Sequence, residues 1–330
     1  MWRFKPTLFG WSNISSIFFK TKSMPNYLPT HHLIKYLLTF GILIYLGFLL
    51  FDYKKELLLI LDISALQFSL ISALILAGVS LNGSKLNQVA KTFEVQLLPK
   101  EWFALSSMTT FFNNVIYKAG SIATSKYLKS KHNFSYLSFA AAFACDQLIL
   151  LFVGAITGSI ISFYLGVFNQ ELIFIFISFA VIAVILFFLY RWKKNLPGTW
   201  SPALNLFKKG IQSFNYLLDN KNLLRSLITH NIFLVLTIVF RIYVSCSILH
   251  LEIPLSSCAL FTAVIIFSRI IPITINDIGL REFAVGFLSS ILGSGLKAGV
   301  LITSVDRVFE FTWAALFVIT SKNALINVRK

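Results

Sequence analysis

Stretches of about 20 apolar residues recur along this chain, and a helix needs a run of that length to cross a bilayer's hydrocarbon core of about 30 Å. The barest, Leu172–Tyr190, is almost purely apolar. Leu33–Phe51, Leu57–Ser80, Tyr136–Ser162, 226–250, 255–271 and Gly299–Ser321 carry the same signature. A soluble domain needs far more polar surface than a chain in which 57% of 330 residues are hydrophobic and 13% charged. The expected fold is all-α: a polytopic membrane bundle of about eight transmembrane helices with re-entrant segments. Residues 1–32 form an interfacial N-terminal segment, 33–321 a single transmembrane domain with a break near 191–225, and 322–330 a cytoplasmic tail.

Charge sets the orientation. Lys and Arg number 29 against 13 Asp and Glu, a balance that in a soluble protein would point to nucleic acid. Here the basic residues lie mostly between apolar runs, so nucleic acid is not an expected partner and anionic lipid headgroups are. Arg191–Arg225 holds seven basic residues and one acid, whereas 163–171 has no Lys or Arg. The positive-inside rule then places 191–225 and both termini in the cytoplasm of a cell (inner or plasma) membrane, with 163–171 on the other side. Met1–His32 mixes basic and aromatic residues and has no apolar core of a cleavable signal peptide. Cys145, Cys246 and Cys258 all lie in apolar runs and read as small buried hydrophobes. No metal spacing, nucleotide loop or nucleophile–base pair is visible, so no cofactor, metal or catalytic residue is assigned.

Two stretches have helical periodicity with an apolar stripe. Leu86, Val89, Ala90 and Phe93 predict an interfacial helix within Leu81–Glu101, and Leu204, Phe207, Ile211, Phe214 and Leu218 predict a second one on the inner leaflet. Tyr136–Ser162 carries a Gly154–Gly158 pair suited to close helix contact.

Ionisable groups inside apolar spans cost about 2.5–3.5 kcal/mol each on insertion scales, so they face partners or water. The candidates are Asp146, Arg241, Arg269, Asp277, Arg281, Glu282, Asp306, Arg307 and Glu310, four bases against five acids. Asp146, Asp306, Arg307 and Glu310 are expected to form an intramembrane charge network. Arg281 and Glu282 point about 100° apart on a helix, so each needs a partner elsewhere, and the last span offers the nearest. Two segments combine polar side chains with an interrupted apolar pattern: Phe111–Gly120, with Asn113, Asn114 and Lys118, and Pro272–Glu282. One lies in each half of the chain, the arrangement in which transporters build substrate sites.

The segment Ile271–Glu282, with Pro272, Asn276, Gly279 and then Arg281-Glu282, resembles the hallmark of the lysylphosphatidylglycerol synthase transmembrane-region family. Phe112–Leu128, with Asn113, Asn114, Lys118, Ala119 and Gly120, resembles that family's other polar motif. Asp277 and Tyr117 depart from it, standing where glycine and proline are common. The resemblance covers 33–321 and implies a flippase-like membrane domain, read as standing alone without an aminoacyl-transferase domain. Its implied role is to move a phospholipid or lipid-linked saccharide between leaflets through a polar groove. On that reading Arg281, Arg241 and Lys118 bind phosphate, Asn113, Asn114 and Asp277 bond hydroxyls, and Glu282 pairs with an arginine when substrate is absent. Partners are membrane lipids, anionic or sugar-linked, with a homo-oligomer or a biosynthetic complex as the protein partner. The alternative is an integral-membrane enzyme or accessory subunit in lipid-linked glycan synthesis, with Asp306 and Glu310 as acid and base.

Overall fold

The computed structural model describes residues 62–116, 118–165, 212–269, 277 and 279–326, with short helical pieces between 176 and 185. The Leu33–Phe51 span, most of Leu172–Tyr190 and the first part of the 204–218 stripe lie outside the described residues. Within them every regular element is helical: α1 (Ala65–Thr92), α2 (Pro99–Val115), α3 (Ala119–His132), α4 (Tyr136–Tyr164), α5 (Lys221–Ile248), α6 (Leu255–Ser268), α7 (Leu280–Ile291) and α8 (Gly295–Ile326). The starts are chemically marked. Ser64 and Gln67 form a capping box on α1, Pro99 opens α2, and the Asn220 side chain accepts from Leu223 N at 3.1 Å on α5.

Three of these, α1, α4 and α5, are long and apolar enough to cross a membrane. At 1.5 Å per residue, α2, α3, α6 and α7 are about 18–26 Å long, too short for a 30 Å core. They come as two interrupted pairs, α2–α3 and α6–α7, one in each half. Large apolar side chains are exposed at Phe152, Ile156, Ile160 and Phe163 on α4 and at Phe233, Leu236, Phe240 and Tyr243 on α5. Each set repeats every three or four residues, a continuous stripe that water would penalise and hydrocarbon accepts. The chain is an integral membrane protein.

α6 lies at the centre of one core. Cys258, Leu260, Phe261, Ala263 and Ile265 are fully buried, as expected of a helix apolar on all sides. Gly154 and Gly158 make room for this packing: a Cβ at Gly154 would meet Ile266 at 3.2 Å, and one at Gly158 would meet the Phe176 ring at 2.7 Å. A second core gathers α2, α3 and the ends of α1, α4 and α5.

Two expectations are corrected. α1 runs unbroken to Thr92, so 81–92 is the end of a long helix, and Val89 and Ala90 are buried against the second core. No separate interfacial helix begins at Leu81. The 212–219 end of the second stripe also faces protein: Phe214, Leu217 and Leu218 are buried in the same core. The Tyr216 hydroxyl donates to Thr92 O at 3.3 Å. In both cases the periodicity marked an apolar face, and neighbouring helices cover it instead of lipid.

Candidate polar cavity and its charge clusters

The α2–α3 hairpin is held at both ends. At its tight end Lys118 takes a left-handed conformation (φ 56°), and Asn113 Oδ1 accepts from Gly120 N at 2.9 Å and Ser121 N at 3.3 Å, capping α3 from α2. At the other end Glu101, buried at the start of α2, accepts from the Tyr127 hydroxyl at 3.0 Å and lies 2.6 Å from His132 Nε2. The helices touch between these points through the Thr109 and Thr124 hydroxyls at 2.6 Å. Phe111 stacks on Phe311 of α8, at 5.3 Å between centroids, which sets the hairpin beside the charged helix.

The second interrupted pair supplies most of the charge. Gly279 (φ 83°) begins α7, and its N–H donates to Glu282 Oε2 at 2.7 Å, so the helix start is closed by a residue three positions on. The other Glu282 oxygen lies 3.0 Å from Arg307 Nε; the distance is that of an ion pair, but the N–H is not aligned for a hydrogen bond. Arg307 also sits 3.6 Å from Asp277. Arg281, 2% exposed, pairs with Asp306. Asp306, which is fully buried, also accepts from Arg241 Nε at 2.7 Å and Nη2 at 2.8 Å. Glu310 Oε2 accepts from Arg241 Nη2 at 3.0 Å, with Arg269 and Arg281 each at 3.8 Å. Arg281 and Glu282 thus find partners on α8 at Asp306 and Arg307, one step apart.

Asp146 is not part of this network. Its carboxylate joins a closed ring across α1, α4 and α5. Lys85 Nζ donates to Asp146 Oδ2 and to Asn231 Oδ1, both at 2.9 Å, and Asn231 Nδ2 donates to Asp146 Oδ1 at 2.9 Å. Lys85 is 4% exposed and Asn231 fully buried. Sequence reasoning passed over Lys85, although five acids against four bases already left one carboxylate without a cation.

These clusters border one cavity of about 650 Å³. Asn113, Asn114 and Lys118 come to it from the hairpin, Lys85 and Asp146 from the ring, and Arg269, Asp277 and Arg281 from the second break, with Arg307 and Glu310 beside them. Arg241, Glu282 and Asp306 are not among its lining residues and stand behind the wall. Among the described residues no group of His, Cys, Asp and Glu has the arrangement of a metal site.

Neither a curated protein nor a solved structure matches the chain. Residues 33–318 match the family described as the lysylphosphatidylglycerol synthase TM region, and the chain, with its two interrupted helix pairs around a charged cavity, belongs to that family of membrane domains.

Proposed function

We propose that this protein moves a phospholipid or lipid-linked saccharide between leaflets, the headgroup passing through the polar cavity while the tails remain in lipid. The supporting observation is the cavity itself. Residues from both interrupted pairs line it with charge and amide groups, inside a bundle whose outer faces are apolar. Its volume falls within the roughly 300–1,000 Å³ of small-molecule sites, enough for a phosphoglycerol or sugar headgroup. Lys118 supplies positive charge, Asn114 and Asp277 supply groups for hydroxyls, and Arg281 stands in the wall with its charge matched by Asp306. Asn113 spends its carbonyl oxygen on the α3 cap and one amide N–H on the Ser121 hydroxyl, which leaves its other N–H for a ligand. Asp306 and Glu310 suit an acid–base pair poorly, because both are engaged by Arg241 and Asp306 has no access to solvent.

The test is movement of a fluorescent lipid in vesicles reconstituted with the pure protein. Asn114→Trp, which puts a bulky ring into the cavity, is expected to abolish movement in a protein that still elutes as folded. Ile160→Trp, on the outer face of α4, should leave it intact. Equal activity in both variants would exclude the cavity as the route.

In the same reading residues 33–321 form one transmembrane domain in the cell membrane, with 191–225 and both termini cytoplasmic. A cysteine placed at Asn205 should resist an impermeant thiol reagent added to intact cells. Labelling there would reverse the topology.

A further inference from the structure

Four arginines meet where α6 breaks before α7, and they are held unequally. Arg241 donates three hydrogen bonds to Asp306 and Glu310. Arg281 is buried against Asp306, and Arg307 lies between Glu282 and Asp277. Arg269, which closes α6, differs on each count. Its side chain is 34% exposed and opens on the 650 Å³ cavity. Its ion pair, with Glu310 Oε2, is at 3.8 Å, beyond hydrogen-bonding distance. That oxygen already accepts from Arg241 at 3.0 Å and has Arg281 at 3.8 Å. Asp306 and Glu310 are thus taken up by Arg241 and Arg281, and Arg269 is the arginine on the cavity with no carboxylate within hydrogen-bonding distance.

A guanidinium cannot shed its proton, and its five N–H donors form a planar fork that matches phosphate in a bidentate pair. We propose that Arg269 is the anion-binding residue of the cavity and that its ligand is the phosphate of a lipid headgroup. Arg241 and Arg281 then serve as wall, their charge neutralised by Asp306 and Glu310. The lipid source rests on the translocation reading; the anion site does not. The competing role for Arg269 is a cation at the C-terminal end of a helix, favoured by the helix dipole alone.

Binding separates the two. The full chain in neutral maltoside detergent is titrated with short-chain phosphatidylglycerol and, in a second series, with inorganic phosphate. The wild type should bind the lipid, and Arg269→Gln should weaken it by about tenfold or more, as loss of a charge-assisted hydrogen bond implies. Arg269→Lys, which keeps the charge without the fork, should fall between, and it decides the matter if the glutamine variant does not fold. Equal binding by wild type and both variants would overturn the site. Phosphate binding as tightly as the lipid would overturn the lipid assignment. Arg269-dependent binding by a protein that moves no lipid in vesicles would uphold the site and remove the translocation reading.

Discussion

Asp306→Asn is expected to destabilise the detergent-solubilised protein more than any other single substitution in the charge clusters, by about 3–5 kcal/mol. Asp306 is fully buried and takes two hydrogen bonds from Arg241 and one from Arg281, which is itself 2% exposed. Asparagine fills the same space but leaves the two guanidinium groups that Asp306 had paired sharing Glu310 with Arg269. Neither can lose its proton, and neither can turn its head to water without breaking the wall. Asp146→Asn provides the comparison. It also strips a carboxylate from a buried cation, yet Lys85 keeps Asn231 and borders the cavity. The loss in Asp146→Asn should be smaller by about 2 kcal/mol, because the Lys85 ammonium still has the Asn231 oxygen. Thermal unfolding followed by tryptophan fluorescence gives the order. Adding Arg281→Gln to Asp306→Asn should recover part of the loss, because it removes the stranded charge. If Asp306→Asn melts with the wild type, the cluster is hydrated and the wall described above does not exist.

How far the site was legible in the sequence depends on which interaction is asked about. Helical class and membrane residence follow from run length and composition, because only helices and closed barrels satisfy their backbone polar groups in hydrocarbon, and runs of about 20 apolar residues suit helices. The breaks at 113–120 and 272–282 were also legible, since polar side chains and Gly or Pro interrupt apolar runs there. Partner choice was only half readable. Spacing on α8 put Asp306, Arg307 and Glu310 within reach of Arg281 and Glu282, but nothing local said that Arg241, on another helix, would take the two hydrogen bonds that fix Asp306. Lys85 was missed because 81–92 looked polar enough for an interface, so its lysine read as a surface group. The 212–218 end of the second stripe shows the same limit from the other side: an apolar stripe reports that a face is covered, not what covers it. Arg269 is plain in the sequence, and only its exposure and the lack of a carboxylate within hydrogen-bonding distance set it apart from the three arginines held more tightly.

The α2–α3 and α7–α8 crossings should each fail on the addition of a single methyl group. A Cβ at Gly120 would lie 2.2 Å from Thr109 O and 2.6 Å from its Cα, and one at Gly299 would lie 2.5 Å from Val285 O and 2.7 Å from Gly286 Cα. Both glycines sit within helices, where alanine is intrinsically favoured by about 1 kcal/mol. Propensity alone therefore predicts that Gly120→Ala and Gly299→Ala stabilise the protein. The overlap is with backbone, which cannot rotate aside as a side chain can, so the helices must separate. Overpacking of this kind costs about 1–3 kcal/mol or more, and contacts this short belong at the upper end. The net expectation is a loss of about 2 kcal/mol for each variant. Gly293, in the turn between α7 and α8, is the control: its φ is +84°, and a Cβ there meets nothing within 4 Å. Gly293→Ala should bear only the backbone strain of the left-handed region, about 1 kcal/mol. The three unfolding midpoints should rank Gly293→Ala above the other two. A rise in midpoint for Gly120→Ala would mean that α2 and α3 do not approach this closely, and the hairpin wall of the cavity would have to be redrawn.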